Sequence, residues 1–122
     1  MSKARQGLGR LGETLAEQRL RSLGYEIVAR NYRAASGEID LVAQHHGEWV
    51  FVEVRARRGR KYGTPEESVT SRKQARLIQT AEAFLEEREL GDVAWRIDFV
   101  AVEFSTRGEL LRVEVIERAI TA

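Results

Sequence analysis

The chain has 122 residues, 20 basic against 19 acidic, a formal net charge of +1 and no cysteine. Its length suits one domain over 1–122. The near-neutral balance argues against bulk polyelectrolyte behaviour, and the missing thiols exclude disulfides, thiol catalysis and cysteine-based zinc sites. No run approaches the roughly 18 apolar residues of a membrane span, and the opening MSKARQGLGR has no apolar stretch of the secretory kind. A cytoplasmic protein with no membrane partner is expected.

In chain order, residues 1–6 read as a short mobile polar lead. Leucines at 8, 11, 15, 20 and 23 then recur at near-helical spacing up to Gly24, which predicts an amphipathic first helix with a glycine stop. Gly7, Gly9 and Gly12 weaken its start and leave room for backbone or ligand to approach. Glu13 lies off the leucine stripe. On pattern alone it is a solvated helix acid.

Tyr25 to Tyr32 reads as a strand, and Arg33 to Gly37 as a turn. The central stretch is GEIDLVAQHHGEWVFVEVR, Gly37 to Arg55. It reads as two strands, Glu38–Gln44 and Trp49–Arg55, joined by the four-residue loop His45-His46-Gly47-Glu48. In that register Gln44 faces Trp49 and Asp40 faces Glu53. One face collects Ile39, Leu41, Ala43, Val50, Val52 and Val54. The other collects Glu38, Asp40, Val42, Phe51, Glu53 and Arg55. A one-residue slip would scramble the separation.

Opposed side chains on a sheet have Cβ atoms about 5 Å apart. Two carboxylates at that distance repel by roughly 3 kcal/mol at an effective dielectric near 20. A shared proton, the nearby Arg55 or a divalent cation is needed to neutralise them, and hard cations take carboxylate oxygens.

Ala56 to Pro65 (ARRGRKYGTP) reads as a flexible loop with Arg57, Arg58, Arg60 and Lys61. Charge runs are commonly just solvated, but this one begins beside the acids. Cations to hold a backbone and acids to hold a metal are what a phosphodiester site requires. Ser71-x-x-Gln74 reads as a capping box opening a second helix over 72–90, closed by Gly91. Its expected buried stripe is Ala75, Ile78, Ala81, Phe84 and Leu85. Arg72, Lys73 and Arg76 crowd its N-terminal end, where the macrodipole favours anions, so a phosphate bound there would account for them. Strands at 95–104 and 109–117 complete the order α-β-β-β-α-β-β.

Among smaller features, His45-His46 reads as an exposed turn, about 15–20 Å from Asp40 at strand rise. Most aromatics read as core; Tyr62, in the basic loop, is left open for base stacking. Asp98 is expected to pair with Arg96 or a cation of a neighbouring strand.

The spacing D-x12-E-x-R of Asp40, Glu53 and Arg55 resembles the PD-(D/E)xK nuclease motif. The wider string, GE in the first helix, then GY, RN, GEID and FVEV, resembles the YraN-type family of endonuclease-like bacterial proteins over roughly residues 7 to 102. It is more distantly similar to archaeal Holliday-junction resolvases. The resemblance implies a restriction-endonuclease-like α/β fold, a mixed β-sheet flanked by helices. It implies a divalent-metal site, Mg²⁺ or Mn²⁺, held by Asp40, Glu53, Glu13 and the backbone carbonyl of Val54, with Lys73 as a phosphate contact. Its catalytic lysine position holds Arg55 here. Arginine stays protonated and cannot act as a general base, although it can stabilise charge on a phosphate.

Three readings follow. The first is a metal-dependent nuclease hydrolysing DNA, with branched or structured DNA as a substrate class. Arg57, Arg58, Arg60, Lys61, Arg72, Lys73 and Arg76 would grip phosphates. The second is a catalytically impaired nucleic-acid-binding module of the same fold. The third makes the acids structural, with Arg55 paired to Glu38 across the hairpin. Nucleases of this shape often form homodimers, but no segment announces an interface.

Overall fold

A computed structural model describes residues 3–121. The elements are α1 (Lys3–Ser22), β1 (Glu26–Ala34), β2 (Gly37–His45), β3 (Glu48–Arg58), a 3-10 turn (Glu66–Ser68), α2 (Ser71–Glu87), β4 (Trp95–Phe104) and β5 (Leu110–Ile120). Apart from the 3-10 turn, this is the expected order. Of the lead expected over 1–6, residues 1 and 2 lie outside the described part, and the helix has begun by Lys3.

The strands form one sheet in the order β1-β2-β3-β4-β5. Only β3 and β4 are parallel; the other neighbours are antiparallel. A parallel pair needs a crossover of a dozen or more residues, and the segment holding α2 supplies it. The helices lie on opposite faces. Ala16 and Leu20 of α1 pack with Leu41, Ala43, Val50, Val52, Val100 and Val102. Leu77, Ala81, Phe84 and Leu85 of α2 pack with Val42, Phe51 and Ile97. The central strands are therefore covered on both sides, as the mixed sheet flanked by helices requires. No helix among the described residues is long and apolar enough to cross a membrane.

The predicted register of the central hairpin holds: Gln44 faces Trp49 and Leu41 faces Val52. Its loop is shorter than expected. His45 pairs with Glu48, leaving a two-residue turn in which His46 and Gly47 take φ of 51° and 77°. Positive φ at both turn positions matches the right-handed twist of the flanking strands. One residue leaves its predicted face. Ile39 packs in the α2 cluster, although Leu41, two positions on, packs in the α1 cluster.

Several boundaries also shift. β3 runs on to Arg58, so Arg57 and Arg58 are strand residues paired beside Glu103 and Phe104, not loop residues. The cap of α2 is Thr70, whose hydroxyl accepts the Lys73 N–H at 3.3 Å; Ser71 is already helical. Ala75 is exposed, and Leu77 and Thr80 are buried in its stead. The helix ends before Gly91, with Glu89 at φ 52° and the Leu90 N–H bonded to the Leu85 carbonyl.

In α1 the leucine stripe is only partly core, since Leu11 and Leu23 are about half exposed. The glycine stop is as predicted: Gly24 has φ 90°, and the Tyr25 N–H reaches the Leu20 carbonyl, a Schellman closure. Gly12 sits against the sheet. A Cβ there would lie 2.8 Å from that of Ala56, so glycine is what lets α1 approach β3 this closely.

Candidate active site

The site begins where the hairpin ladder stops. Pairing of β2 with β3 runs from His45↔Glu48 to Leu41↔Val52 and no further. Beyond that point, the Asp40 carboxylate accepts the Val54 backbone N–H at 2.8 Å. The side chain thus satisfies a strand donor that the ladder leaves unpaired, which fixes Asp40 beside β3. Across from Asp40, β1 carries Asn31 at φ 52°. With its amide nitrogen turned toward the acids, Asn31 donates to Glu38 at 3.0 Å and to Glu13 at 3.2 Å. This residue joins α1, β1 and β2 around the acids.

Glu53 is buried, 6% exposed, with the Asp40 carboxylate beside it in charge range. Burial first, and the Asp40 charge second, push its carboxyl up to about 8, against the opposing pull of Arg55. Arg55 Nη2 lies 2.6 Å from Glu53 Oε2, while Arg55 Nε is buried without a partner among the described residues. Glu13 on α1 is pushed up to about 7 by burial and then by Asp40 and Glu38. The Arg55–Glu38 pair that the register allowed does not form; Glu38 meets Arg33 at 3.4 Å.

Glu38, Asp40 and Glu53 line a cavity of about 510 Å³ between the sheet edge and α2, and Glu13 is not part of its lining. Asp40, Glu53, Val54 and Arg55 form one wall; Lys73, Arg76 and Thr80 form the other. Lys73 is anchored by its ammonium on the Ser68 carbonyl at 3.0 Å. Thr80 shares a 2.8 Å hydroxyl contact with Ser36 on the β1–β2 turn. Acids and cations thus face one another across a space large enough for a small ligand.

The other cations expected at the site are distributed differently. Arg57 and Arg58 line a second cavity, with Arg55 and Tyr62. Arg60 is held on Glu103 by two hydrogen bonds, 2.9 and 3.1 Å, so its charge is largely neutralised. Lys61 sits 5.6 Å from the Tyr62 ring centre. Arg72 is exposed at the start of α2, and it does not line the acid cavity.

Could the acids hold a divalent cation? Among the described residues, no three acids or histidines converge closely enough to share one ion. The close set is the pair Asp40–Glu53, with Glu13 in charge range of Asp40. Mg²⁺ commonly binds through one or two carboxylates and keeps several waters. Two adjacent acids, one with a raised titration point, form a donor set that a cation would relieve of mutual repulsion.

Sequence reasoning gave no role to Asn31, although it is the N of the RN in the family-like string, nor to Ser36 and Thr80, which carry no motif. It also misplaced His45, which is buried, 8% exposed. Its ring stacks on Tyr25 at 3.8 Å and 6°. Its Nδ1 lies 2.7 Å from Arg96 Nη2. Arginine only donates, so Nδ1 accepts, and Nε2 donates to the Leu23 carbonyl at 3.2 Å. Arg96 also binds Asp98 at 3.0 Å, as the sequence allowed.

A five-stranded mixed sheet with a helix on each face and an acid pair at the end of its central hairpin defines the architecture. The chain belongs to the UPF0102 family: the model described as "Uncharacterised protein family UPF0102" matches residues 12–102. That is the family the YraN-type resemblance indicates. A UPF0102 protein of Roseiflexus castenholzii is 47% identical over 121 residues, covering 98% of both chains. One of Symbiobacterium thermophilum is 47% identical over 115 residues, covering 94% of this chain and 97% of the relative. One of Moorella thermoacetica is 43% identical over 119 residues, covering 98% and 99%.

Proposed function

We propose that the protein is a divalent-metal-dependent nuclease that hydrolyses phosphodiester bonds in DNA, branched or structured DNA included. The observation that carries this reading is the adjacency of the Asp40 and Glu53 carboxyls at a cavity whose far wall is Lys73 and Arg76. Two acids pressed together against their repulsion, opposite two cations, are hard to account for by folding alone. Metal at the acids and phosphate at the cations account for both.

Asp40 and Glu53 would hold Mg²⁺ or Mn²⁺, with the Val54 carbonyl as a third donor and Glu13 nearby. When bound, such a cation supplies Lewis-acid stabilisation of charge on the phosphoryl oxygens. The chain's own residues do the rest. Lys73 and Arg76 orient the phosphate from α2. Arg55 is permanently charged, so it stabilises charge developing on the phosphate and does not remove a proton. Asn31 holds Glu13 and Glu38 in place.

A second reading is supported by one contact. Arg55 already neutralises Glu53 at 2.6 Å, which provides internally what a cation would provide. A DNA-binding module with impaired catalysis would look the same. The test is cleavage of duplex, single-stranded, flap and four-way-junction DNA in Mn²⁺ by wild type and by Asp40→Asn. Cleavage by wild type alone supports the nuclease. Equal cleavage by both removes Asp40 from the chemistry. Retarded bands without cleavage favour the binding module, and gain of cleavage in Arg55→Lys would then identify residue 55 as the cause.

A further inference from the structure

The second cavity lies on the α1 side of β3, about 500 Å³ in volume. Its floor is Val54 and Ala56, its flanks are Leu8 and Gly9 of α1, and its rim is Tyr62. Arg55, Arg57 and Arg58 also line it, and no acid does. Val54 and Arg55 line the acid cavity as well, so one pair of β3 residues separates the two spaces.

Three features have no explanation within the folded chain. Tyr62 is 81% exposed, a large aromatic ring held out beside Lys61. Arg58 lies on the same face of β3 as Val54 and Ala56 and is exposed; its Nε rests on the Thr106 carbonyl, and among the described residues no acid pairs with its charge, although a guanidinium normally finds acceptors. Gly9 weakens α1 without a packing reason among the described residues, where an added Cβ would meet nothing within 4 Å. Gly12, by contrast, is required by Ala56. An acceptor for Arg58, a flat face for Tyr62 and a bare helix surface at Gly9 are all needs of one ligand type.

We propose that this cavity binds an unpaired nucleotide of a DNA strand, its base against the Tyr62 ring and its phosphate on Arg58. Duplex DNA keeps its base faces stacked inside and offers only backbone and groove edges, whereas a single strand presents the faces that aromatic side chains stack on. The proposal rests on the nucleic-acid reading of the acid site. It adds a strand preference to that reading: the nucleotide held here is a close neighbour of the phosphate in the acid cavity, so the site favours DNA that is single-stranded next to the cut.

The test is fluorescence anisotropy in EDTA, with a labelled 12-nucleotide oligothymidylate and a labelled 12-base-pair duplex as probes. Wild type is expected to bind the oligothymidylate, and Tyr62→Ala to bind it about ten-fold more weakly with duplex binding unchanged. Tyr62→Trp is expected to restore the affinity. Arg58→Ala is expected to lower the salt dependence by about one phosphate's worth. The proposal is overturned if wild type ignores the oligothymidylate, or if Tyr62→Ala binds both probes like wild type or loses both equally. Because the assay needs neither metal nor cleavage, failure of the nuclease reading shows separately, as identical wild-type and Asp40→Asn traces in the cleavage panel.

Discussion

Asp40 is bound to the backbone of Val54, the residue after the acid that repels it. The 2.8 Å bond from the Val54 N–H holds the carboxylate against β3, and Glu53 is consequently unable to relax away from it. The strain between the acids is built into the hairpin by a hydrogen bond that the hairpin itself needs.

Replacement of Asp40 therefore separates two roles. Asp40→Asn keeps an acceptor for Val54 and removes one of the two charges. In metal-free buffer above about pH 8, where both acids are charged, it is expected to be more stable than wild type, by about 1–3 kcal/mol. Asp40→Ala also strands the Val54 N–H, at a cost of about 1–3 kcal/mol, and should recover little of that gain. In both variants the stabilisation by Mn²⁺ should vanish; in wild type, ligand at about 100 times Kd would add about 2.7 kcal/mol. Thermal melts with and without Mn²⁺ decide it. An undiminished metal response in Asp40→Asn would place the ion elsewhere.

The same acids set a pH dependence. Folding raises Glu53 from 4.5 to about 8, and Glu13 from 4.5 to about 7, in each case chiefly by burial. The folded chain thus binds more protons than the unfolded one between those values, so stability falls as pH rises. The stabilisation is complete below about pH 4.5 and lost by about pH 8. Glu53, the more deeply buried, carries most of it, and Glu13, more exposed, adds less. Urea midpoints of metal-free protein from pH 5 to 8 should fall, and saturating Mn²⁺ should flatten the decline by competing with the protons. A flat metal-free profile would show that the acids are already neutralised, with Arg55 as the means.

Much of this site was legible because strand alternation is strict. Asp40 and Glu53 could be opposed on paper because the apolar pattern of residues 39–54 admits one register. That register predicted alignment, but not that the ladder would stop at Leu41↔Val52 and yield Val54 to a side chain. Asn31 was visible only as the N of RN and its role was not, for a related reason: its left-handed backbone, φ 52°, leaves no mark in a strand-like sequence. Arg60 was misjudged because charge runs are read locally, whereas its partner, Glu103, is 43 positions away. His45 was assigned to a loop because four residues fit the turn, although two sufficed.

The polar network around Asp98 is the firmest structural commitment outside the site. Asp98 is fully buried. It accepts the Tyr25 hydroxyl at 2.7 Å, Arg96 Nε at 3.0 Å and the Arg118 N–H at 3.0 Å. Removing one member of such a set leaves the other charge unpaired, typically at about 3–5 kcal/mol. Asp98→Ala is expected to lose that much in urea unfolding, and Tyr25→Phe only about 1–2 kcal/mol, since Arg96 remains for Asp98. Neither residue lines the acid cavity, so metal binding should be unchanged in whatever fraction stays folded. Altered metal affinity in Tyr25→Phe would contradict the separation of the two polar centres.

Gly12 links the packing of α1 to the chemistry of its neighbour, Glu13. With only 2.8 Å between an added Cβ and that of Ala56, Gly12→Ala must push α1 outward. Both backbones are regular elements and neither contact atom is at the end of a flexible side chain. The helix gains about 1 kcal/mol of intrinsic propensity from alanine, so a net loss of stability would measure the clash directly, and overpacking typically costs about 1–3 kcal/mol. Glu13 would move with the helix, away from Asp40 and from Asn31, and its carboxyl should then titrate nearer its ordinary value. Ala56→Gly makes room for the added methyl. The double variant is therefore expected to be more stable than the two single changes sum to, a coupling of about 0.5–3 kcal/mol. Additive effects would mean that the contact between Gly12 and Ala56 does not set the position of α1, and that Glu13 owes its place to Asn31 alone.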